Sequence, residues 1–328
     1  MANMRDIAKE AGVSIATVSR AINNADTVTS ETTRRIQEAM QKLHYKPKSS
    51  GGMHHRTRSH MLLVIIPDFG NAFFSDILRG MNDESLKNGY ALLLAASNSI
   101  VEREREFVKF LHNRQADGVI FLSPLLSGEE LQAIDARYPL VQCCEYNENT
   151  KLTHVSIDNY AACCQAMEFL IRLGHRNIAM LSSTNSFVST KQREAAYKQT
   201  LAAHGLPLEP QFLRRGTYSF TNGYENMKCL LKRRLPITAV LAIADTVAAG
   251  ASRAIQEAGL RVPEDIAVVG FDNVDLCNMV TPTLTTIAQP RHQLGATAVE
   301  LLLDKIAGNT ERRGIYLSHE LIVRGSTR

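Results

Sequence analysis

Residues 4–23 read Met4-Arg5-Asp6-Ile7-Ala8-Lys9-Glu10-Ala11-Gly12-Val13-Ser14-Ile15-Ala16-Thr17-Val18-Ser19-Arg20-Ala21-Ile22-Asn23. Residues 5–10 suit a short helix with Ile7, Ala8 and Ala11 on one side. Gly12 follows, and glycine takes the left-handed conformation that ends a helix sharply. Ser14 then stands where an N-cap belongs, so 15–22 is a second helix. Four residues separate the two, which is helix-turn-helix spacing. A third helix is expected from Ser30 to Leu43, with Ile36, Met40 and Leu43 turned inward to meet Val13, Val18 and Ile22.

The second helix carries the chemistry. Once Val18 and Ile22 are buried, its other face offers Ile15, Ala16, Thr17, Ser19, Arg20 and Asn23. Short methyl and hydroxyl groups suit a helix entering the DNA major groove, where methyls meet thymine methyls and a guanidinium pairs with guanine. Its N-terminal amides suit a backbone phosphate. Any three small helices offer a similar surface, so charge matters. Residues 1–60 hold ten Lys and Arg against five Asp and Glu, while the remaining 268 hold 27 against 28. The basic excess therefore lies at the end that carries the helix-turn-helix, as expected for a nucleic-acid-binding end.

This stretch resembles the headpiece of the LacI/GalR family of bacterial repressors, and Val28, Thr33, Tyr45 and Pro47 also fall in that family's pattern. The resemblance implies that Ile15, Ala16 and Arg20 are the base-reading residues. With them, Arg5, Ser14, Thr17, Ser19 and Asn23 are candidate DNA contacts. The expected headpiece is 1–47 and the expected linker 48–60. That linker contains Gly51, Gly52 and several basic residues. Two glycines disfavour a helix by about 1 kcal/mol each, so it departs from the hinge helix usual in the family. Met53 is the candidate for the apolar wedge that enters the minor groove there. A loose linker predicts tolerance of variable half-site spacing.

Beyond residue 60 short apolar runs alternate with amphipathic segments. Strands are expected at 62–67, 90–95, 118–123, 140–144, 154–157, 177–182, 238–242 and 266–270. Helices are expected at 72–88, 102–113, 158–173, 191–204, 245–258 and 293–307. Unbroken β-branched runs between helices mean parallel strands buried on both faces, a doubly wound α/β class. The family resemblance continues through Leu173-Gly174-His175-Arg176, Gly270-Phe271-Asp272-Asn273 and Leu284-Thr285-Thr286-Ile287. It implies a periplasmic-binding-protein-like core of two Rossmann-like halves. Expected boundaries are 61–158 with 290–322, and 159–289 with 323–328, with three crossings between halves and a ligand in the cleft.

In open α/β sheets, ligands meet loops at the carboxyl ends of strands. By resemblance, Phe73 and Phe74 form a pocket wall. Glu145 and Asp158 are first-half contacts, Ser189 and Arg193 hold polar ligand groups, Tyr218 is an aromatic wall, and Asp272 accepts ligand hydroxyls. Asp245 also falls at a strand end. Plain structural readings stand beside these: Phe73 or Phe74 as core, Asp158 or Asp245 as a helix cap. An aromatic slot with carboxylates and one arginine suits a polyhydroxylated ring, a sugar or a nucleoside. Many sugar-binding members carry Asn-Asp where this chain has Ala244-Asp245. Thr285–Arg291 and the ending from Glu320 resemble the cytidine-repressor branch, which favours a nucleoside.

No P-loop, dinucleotide fingerprint or nucleophile elbow is present, so no catalytic residue, cofactor or enzymatic activity is assigned. The six cysteines lack metal-ligand spacing and read as reduced thiols; the histidines at 44, 54, 55 and 60 read as part of a basic segment, so no metal is expected. The longest apolar run, 61–67, is far too short to span a bilayer, and no signal peptide opens the chain. The expectation is a cytoplasmic homodimer on double-stranded operator DNA, answering a small effector, without membrane contact. Two alternatives remain: a solute-binding transport protein, and a sugar- or nucleoside-processing enzyme.

Overall fold

The structure is a computed structural model describing residues 3–23, 28–43, 45, 58–309 and 311–328, without the side chains of Ile22, Asn23 and Ser30. The chain forms two compact units, Met1–Arg58 and Ser59–Arg328.

The first unit contains α1 (Met4–Ala11), α2 (Ile15–Asn23) and α3 (Ser30–Lys42). Asn3 caps α1 in a reciprocal box with Asp6. Gly12 ends that helix at φ 64°. Its backbone turns the chain into Ser14, whose Oγ accepts from the Thr17 amide at 3.1 Å and so starts α2. Ile7, Ala8, Ala11, Val18, Ile36 and Ala39 form the core, with Val13, Met40 and Leu43 packed against it. Arg35 donates to the Ala11 carbonyl at 2.6 Å; this cation closes the C-terminus of α1, where the helix dipole favours it.

The second unit holds two six-stranded sheets. Its first half runs β1 (Met61–Ile66), α4 (Ala72–Lys87), β2 (Ala91–Ala96), α5 (Val101–Phe107), α6 (Lys109–His112), β3 (Gly118–Phe121), α7 (Gly128–Asp135), β4 (Leu140–Cys143) and β5 (His154–Ile157). The second runs α8 (Asn159–Arg172), β6 (Ile178–Ser183), α9 (Val188–Ala203), β7 (Leu213–Gly216), α10 (Phe220–Lys232), β8 (Ala239–Ala242), α11 (Asp245–Glu257), β9 (Ala267–Asp272), α12 (Leu276–Met279) and β10 (Thr285–Ala288). Then α13 (Arg291–Ile306) and β11 (Gly314–Leu317) return to the first sheet, and β12 (Glu320–Ile322) joins the second. The orders β2-β1-β3-β4-β5-β11 and β7-β6-β8-β9-β10-β12 repeat the same winding. Ten of the strands lie parallel; β11 adds a parallel edge and β12 pairs antiparallel with β10. Every residue of β3, β4, β6, β8 and β9 is buried, as strands covered by helices on both faces require.

Three expectations need correction. The first half does not reach 322, because Glu320–Ile322 pairs with Thr286–Ala288 of the second sheet, so the last crossing falls between β11 and β12. The linker does not reach 60: the Ser59 amide and hydroxyl and the His60 amide donate to Asp117 at 2.8, 3.0 and 3.0 Å, which builds both residues into the core. The helix expected at 102–113 is broken into α5 and α6 at Val108. The linker expectations, Met53 included, lie outside the described residues.

Each half clamps its outer helices through reciprocal glycines. A Cβ at Gly80 of α4 would run into the His292 carbonyl of α13, and one at Gly295 of α13 into the Ile77 carbonyl of α4. In the second half, Gly223 of α10 meets the Val247 carbonyl, and Gly250 of α11 the Phe220 carbonyl. Gly80→Ala is therefore expected to force the helices apart and cost about 1–3 kcal/mol, read as a lower urea midpoint.

Candidate functional site

On α2, Ile15, Ala16 and Arg20 are exposed, whereas Thr17 and Ser19 are half-buried. Ile15 keeps 46% of its surface open, an apolar exposure that folding of this unit leaves without cover. The Ser14 hydroxyl is paired with that of Thr17 at 2.8 Å, so its first role is to start the helix. Arg5 is exposed in the first turn of α1. The candidate side chain of Asn23 lies outside the described residues. Ile15, Ala16 and Arg20 thus share one solvent-facing stripe on a helix whose start is fixed by a cap.

The second unit brings its candidate residues together where strands of both sheets end. Glu145 follows β4. Its carboxylate accepts from the Ser189 amide at 3.2 Å and from the Ser189 hydroxyl. Four residues along α9, Arg193 is only 4% exposed. Its Nε and one terminal nitrogen donate to the Asn159 side-chain oxygen at 3.0 and 2.8 Å, and the other nitrogen to the Ile243 carbonyl at 2.7 Å. The guanidinium lies over the Phe271 ring, 3.5 Å from its centroid, a cation–π stack in a desolvated place. A charge held by neutral acceptors keeps attraction to spare for nearby carboxylates. Burial raises the carboxyl pKa of both Glu145 and Asp272, and the Arg193 charge opposes that rise at each.

Asp272 ends β9 with φ 111° and accepts from Gln289 at 2.7 Å. Such a backbone is uncommon outside glycine and persists only where surroundings hold it. Burial pushes its carboxyl up to about 7. Burial likewise raises Glu145. Tyr218 stands 3.2 Å from the Thr190 hydroxyl. Between the halves is a cavity of about 290 Å³, bounded by the loops at 124–127 and 145–149 and by Ser186, Phe187, Val188 and Lys191.

Three candidates sit elsewhere than an open ligand wall. Phe74 packs in the first-half core beside Ile66, Ile77 and Met81, and only Phe73, edge-on to it at 5.3 Å, stays half-buried. Asp158 is exposed and caps α8 through the Ala161 amide at 2.8 Å. Asp245 is neither cap nor open contact: its carboxylate, 1% exposed, accepts from the Thr286 hydroxyl at 2.6 Å and the Val274 amide at 2.9 Å, tying α11 to β10. Burial raises it to about 6. Sequence reasoning missed Asn159, Gln289 and Tyr146. Only Gln289 left a signal, in its Gln-Pro-Arg setting.

Raised carboxyl pKa values have a stability consequence. An acid whose folded pKa lies above its unfolded value binds extra protons when folded, so stability falls as pH rises. For Asp272 the loss runs from the ordinary 3.8 to about 7. The Asp272 carboxyl should therefore contribute progressively less to the stability of the ligand-free chain as pH rises across that window. Asp272→Asn should remove its share of the slope, and parallel melting curves for the two proteins would contradict the assignment.

No group of three or more His, Cys, Asp or Glu among the described residues is arranged to hold a metal ion. All six cysteines are free thiols. No helix among those residues is long and apolar enough to cross a membrane.

Known proteins resemble both units. The model of bacterial regulatory proteins of the lacI family matches residues 3–48, and that of a periplasmic binding protein-like domain matches 167–327. The HTH-type transcriptional repressor CytR of Escherichia coli K12 is 37% identical over 332 aligned positions, covering 100% of this chain and 96% of that one. The lac repressor dimer bound to operator and the anti-inducer ONPF superposes with a TM-score of 0.76 at 28% identity over 99% of both chains. A LacI-family regulator from Enterococcus faecium with bound ribose gives 0.73 at 30% identity, covering 81% of this chain and 98% of that one.

Proposed function

This chain belongs to the LacI family of bacterial regulatory proteins, and from that premise we propose a homodimeric repressor whose hold on operator DNA answers to a nucleoside bound between the halves of its second unit. Its activity is DNA-binding transcriptional repression, not catalysis. The helix-turn-helix also decides against a solute carrier for transport.

The observation carrying the operator reading is the stripe of Ile15, Ala16 and Arg20 on a capped, solvent-facing helix. The effector reading rests on the buried Arg193–Phe271 stack beside Asp272. A planar cation on an aromatic face, next to a carboxylate that accepts hydroxyl protons, is the chemistry of a ribosyl ring. Glu145, Ser189, Tyr218 and Phe73 complete the wall, and Asp158 stands at the first crossing. The regulator from Enterococcus faecium with ribose bound supports a sugar as second reading. Exposed Leu86 and Leu94 in the first half, and Phe220 and Met279 in the second, give the apolar surface a partner copy would cover.

The test is a thermal-shift panel of nucleosides, cytidine among them, against ribose and free bases, paired with gel shifts on an operator selected from random duplexes. A nucleoside should raise the melting temperature by several degrees and alter the gel shift, while ribose and the base alone do less. Operator affinity should fall steeply with salt as counterions are released. Ribose acting as strongly as any nucleoside would turn the assignment to a sugar.

A further inference from the structure

Helix α9 begins without a capping group of its own. Its N-cap residue is Phe187, whose side chain offers no acceptor. Yet Ser189, in the first turn, is only 3% exposed. Water cannot easily satisfy a donor there, and a buried first-turn N–H needs a partner.

The partner comes from the other half of the unit. Glu145, two residues beyond the end of β4, accepts the Ser189 amide at 3.2 Å and the Ser189 hydroxyl, and the Val188 amide also stabilises its charged form. Its own amide donates to the Cys143 carbonyl at 2.9 Å, which fixes the loop. A carboxylate at a helix N-terminus is favoured by both the free amides and the dipole. One turn on, Gln192 reaches back to Tyr146 and Glu148, at 3.4 Å each. The bonds of Glu145 to Ser189, and of Gln192 to Tyr146 and Glu148, span the cleft.

We propose that Glu145 is the latch of the cleft: it serves as the missing cap of α9 across the gap, and so holds the two halves together before any effector arrives. This rests on the reading that the halves open and close around an effector. It makes Glu145 a positioning residue that acts through α9. Opening the cleft would strip α9 of its cap, so opening and fraying of its first turn are one event. An effector can then shift the balance by adding bonds around an intact latch or by replacing it.

The test uses the full chain without ligand. Backbone hydrogen exchange reads the first turn of α9, and small-angle scattering reads closure. Glu145→Ala should speed exchange at Ser189 and Thr190 about tenfold, within the range for loss of a cap, and should raise the radius of gyration. Glu145→Gln, which keeps one acceptor, should fall between. Phe187→Asp supplies α9 with its own cap. Added to Glu145→Ala, it should restore slow exchange but leave the scattering open. Wild-type exchange and scattering in Glu145→Ala and Glu145→Gln would overturn the latch, as would a double variant that recovers both. Gel shifts on the same preparations read the repressor assignment separately. A wild-type chain that fails to shift DNA sinks that assignment and leaves the latch measurement standing.

Discussion

Arg20→Ala is expected to weaken operator binding by about 1–3 kcal/mol, roughly five- to 150-fold, and to relax base preference at one position in each half-site. The side chain stands exposed on α2, one turn beyond the exposed Ala16. It is therefore free to serve a base edge without first breaking a fold contact. Headpiece stability should not change, since its core is built from Ile7, Ala8, Ala11, Val18, Ile36 and Ala39. A phosphate-only role gives a different signature: binding would weaken uniformly across sequences and the salt slope would shrink by about one. Selection of operators by the wild type and variant separates the two, because only base reading changes the selected sequence.

The second large effect is expected at Arg193. Arg193→Lys keeps the charge but loses the planar fork shared with Asn159 and the stack on Phe271. Lysine is a hydrated point charge and does not replace that geometry. Charge-assisted hydrogen bonds of this kind are each worth about 1.5–3 kcal/mol, so effector affinity should fall by about one to two orders of magnitude. Operator affinity without effector should stay close to wild type. The measurement is a calorimetric titration with the most stabilising nucleoside of the panel, beside an operator titration. Loss of both affinities together would mean that Arg193 only supports the fold.

The headpiece was legible because its signals are local. Gly12 and Ser14 punctuate two helices through backbone conformation and a cap, and both act there as expected. The buried parallel strands were legible as apolar runs. The elements that sequence reasoning missed lack such marks. Strand β7 carries Arg214 and Arg215 at a sheet edge, and β11 alternates exposed and half-buried residues. Helix α10 has Gly223 near its start, which lowers helix propensity yet permits the close approach of α11. The partner of β12 lies some 35 positions back at β10, and only tertiary pairing decides which half receives it.

The cleft was legible in part for the same reason. Arg193, Ser189, Glu145 and Asp272 were placed by resemblance, and they do converge. Their partners Asn159 and Gln289 are polar residues of a kind that usually faces water, and only the Gln-Pro-Arg setting of Gln289 marks either of them. Phe74 and Asp158 followed their plain readings, one in a core and one as a cap. Asp245 followed neither, because its partners Thr286 and Val274 come from distant segments.

Linkage offers the most direct test of the whole account. If operator and effector sites are coupled, the effector changes operator affinity by some factor, and operator must change effector affinity by the same factor. The full chain should be titrated with labelled operator at fixed salt, with and without the stabilising nucleoside, and then with nucleoside in the presence and absence of operator. The account predicts equal factors, in the usual range of about five- to 150-fold. A nucleoside that binds the second unit yet leaves operator affinity unchanged would contradict it.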